Sequence, residues 1–185
     1  LGCSDTVTGT INLFPVPDAD FSVQNACFGV PITPTNLSQG TVVTWQWNFG
    51  DGSNLVGVQN PTHNYAQQGI YDIQLVATYV DQCADSTTHQ VAIHNLPEAD
   101  FLWSYVCEGT STPFLNQSDI AFPDNIIRWI WDYVDGSPRD TVINGNHVYP
   151  DGGNYDAELL VITSKGCKDS ITKEIWVNYA PDPVI

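Results

Sequence analysis

The chain has 185 residues and a formal net charge of −16 at pH 7, with 21 Asp and Glu against five Lys and Arg. Such a field repels nucleic acid and anionic membrane surfaces, whose binding depends on clustered basic side chains. No apolar run approaches the ~18–20 residues of a membrane span. We therefore expect no nucleic-acid partner and no membrane insertion.

Alternation of apolar and polar residues recurs along the chain, and helical periodicity is absent. Segment 43–49 places a large apolar residue at every second position, from Val43 through Trp47, and 127–133 repeats this with Ile127 and Trp131 inward. Asp-Gly pairs follow both segments and predict turns. The predicted strands are 19–25, 31–37, 43–49, 71–79, 87–94, 99–106, 112–116, 127–133, 155–162 and 171–178. Six or seven short strands in every ~80 residues predict antiparallel β-sandwiches.

The same pattern is present twice, with 84 residues between Trp47 and Trp131. A Cys-x-Asp-Ser/Thr signature begins at Cys3, Cys83 and Cys167, and a Pro-x-Ala-Asp-Phe signature begins at Pro17 and Pro97. The period exceeds the ~20–50 residues of solenoid units and predicts a string of small domains. The predicted boundaries are 1–16 for the last strand of a preceding repeat, 17–96 for domain 1, 97–180 for domain 2 and 181–185 for the start of a following repeat.

Each predicted domain contains two cysteines at matching positions, which predicts one intradomain disulfide per repeat. The predicted pairs are Cys27 with Cys83 and Cys107 with Cys167, while the partner of Cys3 belongs to the preceding repeat. Each closed loop would stabilise its small domain by ~4 kcal/mol and require an oxidising compartment. Free buried cysteines are the alternative.

Two tryptophans and two tyrosines fit structural roles in such domains. Trp47 and Trp131 alternate with polar residues, so we expect them in the cores; stacking on a sugar would require exposure. Tyr71 and Tyr155 each follow a glycine by two residues, which indicates a tyrosine corner that ties the hydroxyl to nearby backbone.

Histidines follow both Asp-Gly turns at the same spacing, His63 after Asp51 and His147 after Asp135. Together with a nearby serine they could be taken for a catalytic triad, but triad chemistry also needs an oriented base, an oxyanion hole and a pocket. A turn-capping aspartate and a histidine donating across the end of the sandwich explain the same residues. We predict that the chain is not an enzyme.

The pattern Trp-x-Phe-Gly-Asp-Gly-Ser at 47–53, Asn-Pro-Thr-His-x-Tyr at 60–65 and Gly-x-Tyr-x-Ile-x-Leu at 69–75 resembles the PKD (polycystic kidney disease) domain, an immunoglobulin-like sandwich. The second copy departs from it where Val134 replaces the glycine before Asp135. The cysteines and boundary signatures resemble the PKD arrays of large secreted surface proteins of gliding and biofilm-forming Bacteroidota. That resemblance implies a secreted, cell-surface location, with type IX secretion and gliding motility as associated processes.

The resemblance also implies a possible cofactor, because some PKD domains bind Ca²⁺ near the aspartate of the Gly-Asp-Gly turn. Oxygen ligands from Asp, Asn and Ser suit this ion. A solvated acidic loop is the alternative. The candidate calcium ligands are Asn36, Ser38 and Asp51 in the first domain and Asn116, Ser118 and Asp135 in the second.

Aromatic residues that differ between the repeats are candidates for a ligand or interdomain contact: Trp103, Tyr105 and Trp176. Alternation points Trp176 away from the core, where it either contacts a neighbouring repeat or binds a surface polysaccharide or another cell-surface protein.

The Asp-Ser/Thr pairs resemble the O-glycosylation motif of secreted Bacteroidota proteins, which makes Thr6, Ser86 and Ser170 candidate acceptors. A recurring turn at the start of a strand explains the same residues.

Three functions follow, from different classes. The first is a structural and adhesive one, in which stacked PKD units form the shaft of a secreted surface adhesin or filament. The second is a carbohydrate- or protein-binding accessory module of a secreted hydrolase. Catalysis by the chain itself is the third, and continuation of the repeats favours the first.

Overall fold

The computed structural model describes residues 2–9, 18–80 and 83–181. These residues form twelve β-strands and no helix. In particular, the described part contains no helix long and apolar enough to cross a membrane. In chain order the strands are β1 (Phe21–Ser22), β2 (Ala26–Cys27), β3 (Thr35–Asn36), β4 (Val42–Asn48), β5 (Gly69–Tyr79), β6 (Ala84–His94), β7 (Phe101–Trp103), β8 (Ser111–Asn116), β9 (Ile126–Asp132), β10 (Gly145–Val148), β11 (Gly153–Thr163) and β12 (Lys168–Val177). The predicted all-β class is confirmed.

The second repeat is a sandwich of two three-stranded antiparallel sheets, ordered β10-β8-β7 and β12-β11-β9. Alternate residues of the long strand β11 face inward, and Leu159 lies opposite Trp131 on one side and Ile171 on the other. Trp131 is fully buried and packs edge-on against Phe101 of the facing sheet, with ring centroids 5.2 Å apart. Its indole Nε1 donates to the carbonyl of Val142 at 3.0 Å. The predicted core role of this tryptophan is confirmed.

The first repeat contributes a β1-β3 pair and a four-stranded sheet ordered β2-β6-β5-β4. Trp47 is again fully buried, lies opposite Leu75 of β5 and donates from Nε1 to the carbonyl of Val58 at 2.8 Å. Strand β2 runs parallel to the end of β6, where Cys27 lies opposite His94. Strands β1 and β3 have two residues each, shorter than the predicted segments 19–25 and 31–37.

Residues cluster into two compact units. Unit 1 comprises Leu1–Gln24, Pro31–Asn64 and Ile70–Val91, and unit 2 comprises Asn25–Val30, Tyr65–Gly69 and Ala92–Ile185. Residues 2–9, predicted to be the last strand of a preceding repeat, are exposed and contain no strand; 10–17 and 182–185 lie outside the described residues. The repeat boundaries stay a prediction.

One feature of the predicted alternation is wrong in both repeats. Val43 and Ile127 were expected inside, yet they are 46% and 62% exposed. Each is the extra residue of a β-bulge: Val42 and Thr44 pair with consecutive residues of β5, and β9 skips Ile127 in the same way against β11. The extra residue of a bulge is unpaired, and its side chain points away from the core. The inward and outward alternation shifts by one residue at that point, and the tryptophan that follows is buried.

Strand β10 was not among the predicted strands. It pairs with β8, and Gly145 lies opposite Phe114. Gly145 is buried because its backbone packs directly against aromatic rings. A Cβ at this position would lie 2.6 Å from the Tyr133 hydroxyl and 3.0 Å from Cδ2 of Trp131.

We expect Gly145→Ala to lower the free energy of unfolding by about 1–3 kcal/mol, because the added methyl group overpacks a rigid aromatic core. Gly57→Ala is the matched control: its Cβ would meet nothing closer than the Trp45 carbonyl at 3.7 Å, so stability should change by less than about 0.5 kcal/mol. Urea denaturation measures both. Equal stability of the two variants would contradict the packing described for Gly145.

Candidate functional site

The two cysteines joined in the structure come from different repeats. Cys27 and Cys167 form a disulfide with 5.6 Å between their Cα atoms, across a sequence separation of 140 residues. The predicted pairs Cys27–Cys83 and Cys107–Cys167 are therefore wrong, and so is the expectation of one disulfide within each repeat.

The reason is the length of the last strand in each repeat. Cys167 directly precedes β12, which has 10 residues, and Cys107 bridges Asn178 just beyond its other end. At ~3.3 Å per residue these cysteines are more than about 30 Å apart, whereas a disulfide requires Cα atoms within about 7 Å. The 11-residue strand β6 separates Cys83 from His94, the residue beside Cys27, in the same way.

The Cys27–Cys167 disulfide closes a loop of 140 residues that contains parts of both repeats. If it acts by restricting the unfolded chain, closure of such a loop stabilises the folded state by about 5 kcal/mol. Stabilisation of this size is a large fraction of the 5–15 kcal/mol typical of a folded domain. Both cysteines belong to unit 2, and the loop between them contains residues of both repeats.

The aspartates of the Cys-x-Asp-Ser/Thr signature fasten the beginning of each repeat to its last strand. Oδ2 of Asp85 accepts a hydrogen bond from the backbone N–H of Ala19, and Oδ2 of Asp169 accepts one from Ala99, both at 2.8 Å. The Cys-x-Asp-Ser/Thr signature is thus hydrogen-bonded to the Pro-x-Ala-Asp-Phe signature of the same repeat. This bond accounts for the recurring aspartate without a modification. Glycosylation at Thr6, Ser86 and Ser170, which are all exposed, stays a prediction.

The aspartate and histidine of each turn form a short hydrogen-bonded pair. His63 Nε2 lies 2.7 Å from Asp51 Oδ2, and His147 Nε2 lies 2.6 Å from Asp135 Oδ2. The imidazole of His147 stacks on Tyr133 with 4.2 Å between centroids and 8° between planes. The other carboxylate oxygen of each aspartate caps its own turn, as Asp135 does by accepting from the Ser137 N–H at 3.0 Å. Each aspartate carboxylate caps its turn and also bonds the histidine imidazole, as the turn interpretation predicts.

Burial and hydrogen bonding act in opposite directions on the Asp135 carboxyl group. Burial raises its pKa, but hydrogen bonds from Ser137 and His147 outweigh burial and lower the pKa to about 2. The pKa of Asp51 is lowered by the equivalent balance, with Ser53 and His63 as donors. Both aspartates are therefore held in the charged form that caps the turn.

The six candidate calcium ligands belong to separate sets of hydrogen bonds. Asn36 Oδ1 accepts from the Ser38 N–H at 3.2 Å, and Ser38 Oγ bonds the backbone of Asp20. Asn116 and Ser118 repeat this arrangement with Asp100, whereas Asp51 and Asp135 bond their own turns. Within the described ranges no cluster of three or more His, Cys, Asp or Glu has the geometry of a metal site. The calcium site stays a prediction.

The three candidate aromatic residues have different environments. Trp103 is half-buried and packs against the core, while Tyr105 is 70% exposed. Trp176 is 42% exposed, as its alternation predicts; its Nε1 donates to Asn178 Oδ1 at 3.1 Å, and its ring lies edge-on to Tyr179 with 6.3 Å between centroids. Sequence reasoning missed Tyr179, because an isolated tyrosine at a repeat boundary carries no pattern.

Tyr155 fulfils the tyrosine-corner prediction. Its hydroxyl donates to the carbonyl of Asp151, four residues upstream, at 2.9 Å. The bond fixes the turn that leads into β11.

A cavity of about 430 Å³ lies within unit 2. None of the described residues that line it is a Ser, Cys, His or Lys, the side chains that serve most often as nucleophile or base. Its lining residues are Phe28, Gln68, Asn95, Leu96, Glu98, Asp119, Ile120 and Ala121.

Acid should weaken the fold through Asp135. Because its folded-state pKa of about 2 lies below the unfolded value of about 3.9, its contribution is full above pH 4 and is lost as pH falls towards 2. Asp135→Asn should remove on the order of 1–2 kcal/mol of stability at pH 7 and much less near pH 2. Urea denaturation across this range measures it. Asp156→Asn, at an exposed position of β11, is the matched control and should change the stability at pH 7 by less than about 0.5 kcal/mol. Equal losses of stability in the two variants would contradict the role of Asp135.

Comparison with known proteins agrees with this geometry. Residues 15–95 and 94–178 each match the family model described as PKD domain. The chain is 36% identical over 63 residues to a microbial collagenase of Vibrio alginolyticus, covering 34% of the chain and 8% of that protein. It is 27% identical over 117 residues to collagenase ColA of Bacillus cereus, covering 62% of the chain and 12% of that protein. The chain thus spans about a tenth of the length of these curated relatives.

Solved structures of single domains are also similar. The PKD1 domain of Vibrio anguillarum Epp is 22% identical with a TM-score of 0.42, over 47% of the chain and 99% of that domain. The PKD1 domain of the Vibrio cholerae metalloprotease PrtV is 29% identical with a TM-score of 0.40, over 45% of the chain and 98% of that domain. Because the two family matches together cover most of its length, the chain belongs to the PKD domain family, as two tandem members.

Proposed function

We propose that the chain is a non-catalytic structural segment of a secreted cell-surface adhesin or filament, in which PKD repeats form a load-bearing shaft. The observation that carries this proposal is the disulfide between Cys27 of the first family match and Cys167 of the second. An accessory module would gain stability alone from such a link. A shaft gains a second path for tension.

The position of the disulfide decides which residues tension can stretch. When the two termini are pulled apart, tension is transmitted from residue 27 to residue 167 through the disulfide bond. The intervening 139 residues, which contain the cores around Trp47 and Trp131, are bypassed. Partial unfolding of either core therefore cannot lengthen the chain between the cysteines.

The chemistry of the surface suits an extracellular location. A disulfide persists in oxidising compartments and is rare in the cytosol. The net charge of −16 keeps neighbouring chains apart in solution and discourages non-specific association. The two curated relatives are named as collagenases of bacteria, which supports the proposed location.

A second candidate is supported by a specific observation. The rings of Tyr105, Trp176 and Tyr179 are each exposed, and the last two lie edge-on to one another. Flat aromatic rings are platforms for sugars or apolar side chains. The similarity to parts of two proteins named as collagenases supports this alternative. In this alternative the chain is a carbohydrate- or protein-binding accessory module of a secreted hydrolase.

Single-molecule force spectroscopy tests the load-bearing proposal. When pulled from its termini, the oxidised chain should stop short of the reduced chain by about 500 Å, the contour length of the 140-residue separation at ~3.6 Å per residue. Cys27→Ser should extend like the reduced chain even in oxidising buffer. Equal extension of the oxidised and reduced chains would overturn the proposed load path.

Binding measurements separate the two candidates. We expect no saturable binding of the chain to insoluble polysaccharide or to collagen, and no difference between the native chain and Trp176→Ala. If the accessory-module alternative holds, binding is saturable and Trp176→Ala weakens it by about tenfold or more, the usual loss when an aromatic platform is removed. Ile127→Ala, which removes another exposed apolar side chain, is the control.

A further inference from the structure

Hydrogen bonds hold the chain at the point where the two family matches overlap, residues 94–95. Asn95 donates from its backbone N–H and from Nδ2 to Oδ2 of Asp124, at 3.1 Å and 3.3 Å. Its Nδ2 also lies 3.3 Å from the carbonyl of Ala121. All of these residues belong to unit 2. The bonds between Asn95 and Asp124 are called the latch below.

The carboxylate of the latch is shielded from water, because Asp124 is only 8% exposed. A buried carboxylate costs free energy unless its oxygens accept hydrogen bonds. The other oxygen, Oδ1, lies 3.8 Å from Nδ1 of His94, which is beyond hydrogen-bond distance. The two Asn95 donors therefore supply bonds that this carboxylate needs, and separating them from it is costly.

The latch belongs to a connection that is longer in the second repeat than in the first. Five residues, 37–41, separate β3 from β4, whereas nine residues, 117–125, separate β8 from β9. When the repeats are aligned on their core tryptophans, Asp124 lies where the first repeat has Gly40. Glycine has no carboxylate that could accept these bonds. The latch is therefore specific to the second repeat and is not required by the shared fold.

On one side of the latch, hydrogen bonds lead from Asp124 to Cys167. The carbonyl of Asn125, the next residue, accepts from the Ser164 N–H at 2.9 Å. Thr163 Oγ1 then accepts from the Cys167 N–H at 3.1 Å, and the Thr163 N–H donates to the Cys167 carbonyl at 2.9 Å. Cys167 is fully buried, so these bonds fix the position of its backbone.

On the other side of the latch, backbone pairing leads to Cys27. Cys27 lies opposite His94, the residue before Asn95, and the Phe28 N–H donates to the His94 carbonyl at 2.9 Å. Backbone and hydrogen bonds thus connect Cys27 to Cys167 through the latch, without using the sulfur atoms. The disulfide closes this path into a ring.

We propose that the latch is a conformational device that keeps Cys27 beside Cys167 when their disulfide is reduced. A disulfide requires Cα atoms within about 7 Å, and thiols that are already held at such a distance react as if each were highly concentrated around the other. The reduced junction therefore stays closed, and the same two cysteines rejoin on oxidation. The proposal concerns how the disulfide forms and does not depend on the load-bearing function.

Exchange with glutathione measures this closeness. One cysteine thiolate attacks glutathione disulfide, forms a mixed disulfide and releases one glutathione thiolate; the second cysteine thiolate attacks the protein sulfur of the mixed disulfide and releases the other. Two protein thiols lose two electrons and two protons, and one glutathione disulfide becomes two glutathione thiols that take up both. The equilibrium constant has units of concentration and is the effective concentration of one cysteine at the other.

The experiment equilibrates the full chain in glutathione buffers of graded composition, traps the thiols with acid and quantifies the Cys27–Cys167 peptide by mass spectrometry. We expect Asp124→Ala to lower the effective concentration by about tenfold or more, because it removes the acceptor of both Asn95 donors. Asp124→Asn keeps one acceptor oxygen and should give an intermediate value. Asn125→Ala, which removes an exposed side chain from the next position, is the matched control and should change the value by less than about twofold.

Asn95→Ala tests the latch from its other side. It removes the Nδ2 donor and keeps the backbone N–H, so the effective concentration should fall by less than in Asp124→Ala. The double variant should be close to Asp124→Ala alone, because both changes act through the same bonds. If Asp124→Ala does not fold, Asn95→Ala decides: a fall supports the latch, and an unchanged value overturns it.

The measurement separates positioning of the cysteines from general stabilisation. A residue that stabilises the oxidised and reduced chains equally leaves their exchange with glutathione unchanged. An unaltered effective concentration in Asp124→Ala, with near-ultraviolet circular dichroism showing a native fold, would therefore overturn the proposal. The force experiment compares chains that are already oxidised or reduced, so its outcome does not depend on the latch.

Discussion

The last strand of each repeat is too long for a disulfide to join the two cysteines of that repeat. Strands β6 and β12 hold the two cysteines of a repeat more than about 30 Å apart, a distance that no side-chain adjustment can remove because the strand is hydrogen-bonded along its length. The disulfide of this chain consequently joins Cys27 to Cys167 of the other repeat. The covalent stabilisation and the proposed path for tension both depend on this single geometric constraint.

Hydrogen bonds near the cysteines fix both ends of the last strand in each repeat. The aspartate of the Cys-x-Asp signature bonds the backbone of Ala19 in one repeat and Ala99 in the other, which fixes where each last strand begins. At the far end, backbone bonds to His94 and Asn178 fix where Cys27 and Cys107 lie. Both ends are anchored within each repeat, so the position of the thiols follows from the fold of the repeat.

Local physics made much of the fold predictable, and long-range geometry made the rest unpredictable. Alternation identified the buried Trp47 and Trp131 and the long strands, because a strand with one buried face has an apolar residue at every second position. The bulges that expose Val43 and Ile127 leave no trace in composition, since a valine or isoleucine suits either face of a strand. The disulfide was assigned wrongly because cysteine spacing gives loop length but not the distance between strand ends.

Electrostatics explains why a covalent link is useful between repeats of this kind. The first predicted repeat, 17–96, contains no Lys or Arg, so it offers no permanent cation to pair with the acids of a neighbour. Like charges on adjacent repeats repel. At 0.1 M salt this repulsion is screened beyond about 10 Å but persists between charges that lie closer together. The covalent bond between Cys27 and Cys167 does not depend on ionic strength, while the acidic surface keeps separate chains dispersed. The charge therefore acts over the whole surface, whereas the disulfide fixes one pair of residues, Cys27 and Cys167.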